Sequence, residues 1–594
     1  MESVAVEEYI YRPLNSGDQE IRLITIKAGR GPDPVECSLD HVSLGDKPQY
    51  EALSYVWGNP NDRSQIILEG CNFSVTSNLG TALSYLRLPE ANRSMWIDAI
   101  CINQSNLAER ESQIQLIRSI YQEAMQVVSW ISPLETKDVI MNTAYLLLLE
   151  GREKNFSTAW LQAMLRGDVL SGDFRYLGEI VTIAKFFAQD EYWERIWITQ
   201  EVALARKGLV KYKEMEIPHD YFVEFTKMFS ELNDDLEWMN RDFGLKHSYI
   251  LGQILEIFRG NYIVRRIAPS APLLDLLYQN MYKKATDPRD KVYALLGLSD
   301  MAPNSHEGLT VNYGENWSKR DVYTGVVRAV VHKTSRLDII GEARPYAKVL
   351  DSNRSPDNQE MDVPSWAPDW TAIFLRPLSN RRDSRIGAAG LIPANVEFYD
   401  DKNVMKAQGI CVGTVGACGR CLPEISLGQG PNEIILCGEI LHEWLQLCRS
   451  SAGDSTGTLE TFSRTISIGS PASSDLQELM AGTDQRFDPS HPLFPIAEMA
   501  FPFLQRFTIE CRIFIFDSII DRSCPNLLCG IGPEELQEKD KICVLAGCKY
   551  PVALRPDGNR YRFVSRVYVD DLCDGQAIKG VEMGRYSWDW FEIH

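Results

Sequence analysis

The chain has 594 residues with 44% hydrophobic and 10% aromatic residues, and 81 acidic against 61 basic side chains give a formal net charge of −20. That length exceeds a single core and implies two or three domains, and so much apolar sequence excludes a wholly disordered chain. The acidic balance disfavours nonspecific binding to nucleic acid or to an anionic membrane. No apolar run approaches the roughly 20 residues that span a bilayer, and MESVAVEEYIYRPL lacks the basic start and apolar stretch of a signal peptide. The expectation is an intracellular, cytoplasmic protein with neither nucleic acid nor membrane among its partners. The 14 cysteines then read mostly as buried thiols.

In chain order, residues 8–29 read as a hairpin, Glu8–Tyr11 and Ile21–Ile26 around a turn at Asn15-Ser-Gly-Asp18. Ala52–Trp57 reads as a strand ended by Gly58-Asn59-Pro60. Ile66–Leu68 and Phe73–Val75 are short strands joined at Glu69-Gly70, and Ser77-Asn78 can cap a helix over Leu79–Arg87. Met95–Ile102 is nearly continuously apolar, as a strand buried on both faces would be. Asn103-Gln104-Ser105-Asn106 breaks that run, and Asn106 with Glu109 fits a capping box. Ile114, Ile117, Ile120, Tyr121 and Ala124 follow at helical spacing, and Val127–Ile131 is again a strand. Such a β-α-β unit builds a parallel sheet whose ligands bind beyond the carboxyl ends of the strands, where the Cys101–Asn106 loop lies.

Ser132–Asp190 reads as an insertion with helices at Val139–Glu150 and Gly178–Ala188. Trp193–Leu204 reads as one helix and Leu209–Tyr212 as a strand followed by Ile217-Pro218. Residues 220–300 are largely helical, most clearly at Tyr221–Leu232 and Ser248–Arg259. From about residue 390 short strands and turns take over, with Lys541–Leu545, Val552–Leu554, Tyr561–Val564 and Val567–Val569 as members of an antiparallel sheet. Arg449–Asp475 is rich in Ser, Gly and Thr and reads as a surface loop or linker.

Three ordered blocks stand out: Tyr50–Gly58 (YEALSYVWG), WIDAICINQ at Trp96–Gln104 with Glu109-Arg110 and IYQEA behind it, and Arg195–Ala205 (RIWITQEVALA). Together they resemble the three motifs of the fungal heterokaryon-incompatibility (HET) domain. Ala285–Leu298 (ATDPRDKVYALLGL) and Val363–Trp370 (VPSWAPDW) resemble strings found in such proteins. The order of a strand with SY, a helix, a strand with Asp, a polar loop, a helix, a strand and then W-x-x-x-E also resembles the Toll/interleukin receptor (TIR) domain. The fold so implied is α/β, with an N-terminal TIR-like, mainly parallel sheet and flanking helices over residues 1–215, including an N-terminal hairpin and a helical insertion at 132–190. A mainly helical region, 216–385, and a β-rich, antiparallel C-terminal region, 386–594, complete it.

Several TIR domains cleave NAD with the glutamate of the W-x-x-x-E helix, and that residue lands on Glu201. Trp197 lies four residues before it and shares its face on a helix, where a bulky aromatic can exclude water from the carboxylate. A lone helical glutamate is more often solvated or paired, here with Arg206. Tyr55 or Trp57 could stack on a base and Gly58 lets backbone approach a ligand, although a core strand with a turn glycine explains Ser54–Gly58 equally well. Asp98 could accept loop amides or pair with Arg110, and Asn103 and Gln104 either line a pocket or cap their loop. The candidate site is thus Glu201 as catalytic residue, with Ser54, Tyr55, Trp57, Gly58, Asp98, Asn103, Gln104 and Trp197 around the substrate.

Other signals carry less. Cys418-Gly-Arg-Cys421 is the single CxxC, with no second pair at zinc-finger spacing, so a strand followed by a turn is expected and no metal. Gly453-Asp-Ser-Thr-Gly457 lacks the strand–turn–helix context of a nucleophile elbow, and His442-Glu443 lacks the second His of a zincin. No phosphate loop or dinucleotide fingerprint occurs. Two functions follow from the resemblance. One is an NAD-cleaving cell-death effector, with NAD as substrate and no resident cofactor. The other is a noncatalytic module that acts by self-association or with another incompatibility protein.

Overall fold

The computed structural model describes residues 9–15, 19–31, 33–171, 178–180, 182–183, 190–233, 270–301, 309–343, 363–372, 387–399, 403–423, 431–452, 456–467, 511–518 and 529–594. They fall into two compact units, Met1–Trp317 and Ser318–His594.

The first unit is organised on a nine-stranded sheet. Its strands are β1 (Glu20–Ile26), β2 (Glu36–Ser43), β3 (Glu51–Tyr55), β4 (Arg63–Leu68), β5 (Cys71–Thr76), β6 (Arg93–Trp96), β7 (Gln126–Trp130), β8 (Gly208–Tyr212) and β9 (Met215–Pro218). Their order is β5-β4-β2-β1-β6-β3-β7-β8-β9. The centre, β6-β3-β7-β8, is parallel, as the β-α-β spacing predicts. The flanks are mostly antiparallel: β1 pairs antiparallel with both β2 and β6, β4 with β5, and β8 with β9, while β2 and β4 are parallel. The sheet is therefore mixed, which corrects the expectation of a mainly parallel one. Short connections explain two of these pairs, β4–β5 and β8–β9, because two-residue turns can only reverse a strand. Glu69 and Gly70 take φ of 51° and 78° between β4 and β5, and Lys213 takes 52° between β8 and β9.

The N-terminal hairpin is also corrected. The partner of β1 is β2, and residues 9–15 form no strand. Strand β6 stops at Trp96, since Asp98–Cys101 forms a helical turn, α2, with the Cys101 N–H bonded to the Ile97 carbonyl at 2.7 Å. Helix α1 (Ser77–Leu86) is capped by Thr76 rather than Ser77 or Asn78. Helix α3 (Leu107–Glu123) buries Ile117, Ile120 and Tyr121 on the sheet. Asn106 accepts the Glu109 N–H at 3.1 Å, but the Glu109 carboxylate does not complete the capping box. It grips the buried Arg22 of β1 through two hydrogen bonds of 2.6 and 3.1 Å and takes the Asn103 N–H at 2.7 Å.

After β7 come α4 (Glu135–Glu153) and α5 (Thr158–Ser171), and residues 178–180 and 182–183 are helical, within the predicted second stretch of the insertion. The predicted helix Trp193–Leu204 is two short ones, α6 (Glu191–Glu194) and α7 (Ile198–Ala203). Arg195 between them is extended, and the Ile196 N–H bonds to the Lys284 carbonyl at 2.9 Å instead of continuing the helix. Helices α8 (His219–Asn233), α9 (Leu273–Gln279) and α10 (Asp290–Leu296) complete the described part, and the predicted helix Ser248–Arg259 lies outside the described residues.

The second unit begins with α11 (Lys319–Thr334), opened by a capping box of Ser318 and Asp321. Its strands are β10 (Val396–Phe398), β11 (Met405–Cys418), β12 (Cys511–Ser518), β13 (Cys529–Pro533), β14 (Lys541–Leu545), β15 (Val552–Asp557), β16 (Arg560–Arg566) and β17 (Asp589–Ile593). The pairings β11-β14-β15-β16-β17 return to β11 and close a ring, antiparallel except between β16 and β17. Ile410, Val412, Ile542, Val544, Ala553 and Val564 share one buried cluster there. Val567–Val569 is not a strand, although Tyr568 bridges to Ile531. The linker expected at 449–475 is corrected as well. Helix α12 (Pro431–Ala452) runs into it and α13 (Thr456–Ile466) lies within it, burying Phe462 and Ile466.

Candidate functional site

Strand β3 lies between β6 and β7. The chain leaves β3, adds β6 on one side, and then crosses through α3 to add β7 on the other. Where connections from neighbouring strands diverge in this way, the carboxyl ends of the strands leave a crevice for ligands. The side chains of the three sequence blocks meet at that end.

Ser54 and Ser129 are register partners on β3 and β7. Both are buried, and the Tyr192 hydroxyl of α6 bridges them at 2.8 and 2.6 Å. Ser54 donates a short hydrogen bond to Glu201 Oε2 on α7. Glu201 is only 6% exposed. Burial pushes its pKa up to about 7, opposed by the Arg195 charge and the Ser54 hydrogen bond and assisted by Asp98. Arg195, in the extended break between α6 and α7, donates to the Tyr55 carbonyl at the end of β3 and is the positive charge acting on both carboxylates. Arg206 pairs with Glu123 instead of Glu201, at 2.9 Å.

Asp98 begins α2, where the Ala99 N–H reaches its Oδ1 at 2.7 Å and the Trp57 indole N–H its Oδ2 at 2.8 Å. Burial raises the Asp98 pKa, with Arg195 the leading opposing charge. Arg110, its expected partner, stacks on the Tyr313 ring at 4.8 Å. Trp57 is 40% exposed, so the aromatic face able to stack on a ligand sits at the surface above a half-buried carboxylate. Gly58 takes φ 79°, and a Cβ there would lie 3.3 Å from Asn78 Cβ. Tyr55 is buried in the strand and burial drives its pKa well above 10. Gln104 holds the Asp98 carbonyl at 2.8 Å, whereas the Asn103 side chain turns onto Ser105 within its own loop. The structure thus joins Ser54, Tyr55, Trp57, Asp98 and Glu201 in one cluster, sets Gly58 against Asn78, has Gln104 brace the cluster, and assigns Asn103 to its loop.

Trp197 points elsewhere. Its indole N–H donates to Asp290 of α10 at 3.1 Å, and Tyr313 donates to the other Asp290 oxygen. Burial raises Asp290 to about 6 against those two hydrogen bonds. The buried Lys283 bonds the Trp193 carbonyl at 2.7 Å, and burial lowers its pKa to about 7. Residues 283–298 therefore clamp the segment that carries Arg195 and Glu201, which gives the string ATDPRDKVYALLGL a structural use.

Sequence reasoning missed Tyr192, Arg195, Ser129, His219 and Asn78. Arg195 opens the third block, but its charge alone did not reveal its partners. Asn78, set aside as a helix cap, binds the Val56 carbonyl at 2.6 Å and accepts from Trp130 at 3.1 Å and Ser132 at 2.8 Å, tying the ends of β3 and β7 together. Among the described residues no group of three or more His, Cys, Asp or Glu is placed to hold a metal ion. Among them also no helix is long and apolar enough to cross a membrane.

A cluster of two carboxylates, one guanidinium, serine and tyrosine hydroxyls and an exposed indole can bind a cationic or ribose-bearing ligand and stabilise positive charge on it. Comparison with known proteins adds a family. The model of the heterokaryon incompatibility protein (HET) family matches residues 50–201. Heterokaryon incompatibility protein 6, OR allele, of Neurospora crassa is 25% identical over 461 residues, which cover 68% of this chain and 66% of that protein, just under two thirds of its length. Both findings support the HET family. No solved structure matches.

Proposed function

We propose that this chain acts in fungal heterokaryon incompatibility, and that its first unit takes NAD and breaks the nicotinamide–ribose bond at Glu201. The observation that carries the chemical part is a buried carboxylate with a pKa near neutrality, set beside Arg195 at the carboxyl ends of parallel strands. The resemblance of the block order to TIR domains points the same way, and the two HET matches support the biological part.

The reaction consumes NAD and water and yields nicotinamide, ADP-ribose and a proton. Cleavage builds oxocarbenium character on the ribose, as glycoside hydrolysis does. An ionised Glu201 opposes that charge, nicotinamide leaves uncharged without a general acid, and water adds to the ribose carbon. Trp57 stacks on an exposed ring of the dinucleotide. Since Ser54 occupies Glu201 Oε2 and the carboxylate is 6% exposed, the Ser54–Glu201 contact has to part for the ribose to enter.

That same burial favours a second reading, in which Glu201 is an internal brace and the unit signals by self-association. Nicotinamide release by wild type and Glu201→Gln at equal folded concentration separates the two. The catalytic reading expects a loss on the order of a hundredfold, about 3 kcal/mol. Equal rates, or no release by either protein under conditions where the chain self-associates, support the brace.

A further inference from the structure

The hydrogen bonds at Glu201 do not end at Ser54. Ser54 meets the Tyr192 hydroxyl at 2.8 Å, Tyr192 meets Ser129 at 2.6 Å, and Ser129 meets His219 Nε2 at 3.0 Å. Every member is buried: Ser54, Tyr192, Ser129 and His219 are at most 1% exposed. The path crosses one face of the sheet, from α7 over β3 and β7 to the first residue of α8. Gly208 of β8 makes room for it, since a methyl group there would overlap the imidazole ring. None of these side chains is needed to pack the sheet as a polar group. An apolar residue of similar size would avoid the cost of burying each hydroxyl.

We propose that Tyr192 and His219 are positioning residues for Glu201: the path through Ser129 and Ser54 directs the Ser54 hydroxyl onto the carboxylate and lets one proton be shared between the Glu201 carboxyl and the His219 imidazole. The inference rests on the reading of Glu201 as the working carboxylate. The phenol has one hydrogen for two hydroxyl neighbours, so one serine donates to it and the whole path carries a direction. Transfer balances. Glu201 passes its proton to Ser54 as Ser54 passes its own to Tyr192, Tyr192 to Ser129, and Ser129 to unprotonated Nε2. The result is a carboxylate and an imidazolium, with total charge unchanged. The other groups acting on Glu201 are Arg195, which favours its ionised form, and Asp98, which disfavours it. With the proton on Glu201, Tyr192 donates to Ser129; once the proton has moved to the imidazole the run reverses, so that Tyr192 donates to Ser54 and Ser54 to the carboxylate, each bond polarising the next.

The test is the titration of Glu201 itself, followed by infrared pH-difference spectra of the full chain. The relevant carboxyl band is the one abolished in Glu201→Gln. Tyr192→Phe keeps the ring and removes the hydroxyl, and His219→Gln removes the far terminus. Each is expected to move the midpoint upward by about one pH unit, a tenfold change in ionisation. Should Tyr192→Phe fail to fold, Ser129→Ala interrupts the same path. Unchanged midpoints in variants whose circular dichroism and melting match the wild type would overturn the proposal, as would the absence of any Glu201-dependent band between about pH 5 and 9. Nicotinamide release plays no part in this readout. The two failures are distinguishable: shifted midpoints without nicotinamide release keep the Glu201–His219 coupling and remove its catalytic use, whereas a null titration overturns the coupling whatever the NAD assay gives.

Discussion

Replacing Glu201 by Gln should remove a pH dependence from the stability of the first unit. The folded carboxyl ionises near pH 7 where an ordinary glutamate does so near 4.5, with burial as the leading cause. The native state therefore holds its proton over a range in which the unfolded chain has lost it. The contribution is fully present below about pH 4.5 and is lost as pH rises through about 7, the reverse of a salt-bridged carboxylate. The gap corresponds to about 3 kcal/mol at about 1.4 kcal/mol per pH unit. Gln keeps the size and an acceptor for Ser54 but cannot ionise. The advantage of Glu201→Gln over wild type should thus grow by about 3 kcal/mol between about pH 4 and pH 8. Two compact units make a single global unfolding energy ill defined. Native-state hydrogen exchange resolves the local effect, read at the amides of β3 and α7 and corrected for intrinsic rates at each pH. A wild-type-to-variant difference that stays flat across that range would mean that Glu201 ionises like an exposed carboxyl, and the reasoning from its burial would fail.

The bidentate pair of Arg22 with Glu109 is buried on both sides, so Arg22→Met should cost about 3–5 kcal/mol by leaving an unpaired carboxylate, and Arg22→Met with Glu109→Met should recover most of it; native-state hydrogen exchange at the amides of the first unit checks both. Gly58→Ala forces a left-handed φ of 79° on a residue with a Cβ close to Asn78, and a loss of about 1–2 kcal/mol is expected in the same assay. Trp57→Ala should weaken NAD binding about tenfold by calorimetry, about 1.4 kcal/mol of lost stacking, and lower the melting temperature slightly because Asp98 loses its indole donor. If Glu201 works as a carboxylate, nicotinamide release rises with pH with a midpoint near 7; a rate falling through that range would assign the work to the protonated form.

The sequence by itself determined the local units and their neighbours. Apolar runs over Ala52–Trp57, Met95–Ile102 and Val127–Ile131, separated by a crossover helix, require parallel neighbours, and β3, β6 and β7 are side by side. The Glu69-Gly70 turn was legible because two residues with positive φ close a hairpin locally. Trp197 and Glu201 do sit one helical turn apart. What local pattern could not decide was which distant group each polar side chain would meet. Asp98 looked like a partner for Arg110 and Glu201 for Arg206, yet Trp57 and Ser54 hold them, from positions 41 and 147 residues away in the chain. The break at Arg195 has the same origin, since the helix pattern continues through it while the backbone of Lys284 and the Tyr55 carbonyl hold it extended. The chain from Glu201 to His219 exists because Ser54 and Ser129 fall in register on adjacent strands under one tyrosine. Register and burial are properties of the assembled sheet, so the burial that raises Glu201 toward neutrality, and the Arg195 charge and Ser54 hydrogen bond that oppose it, appear only once the sheet has formed.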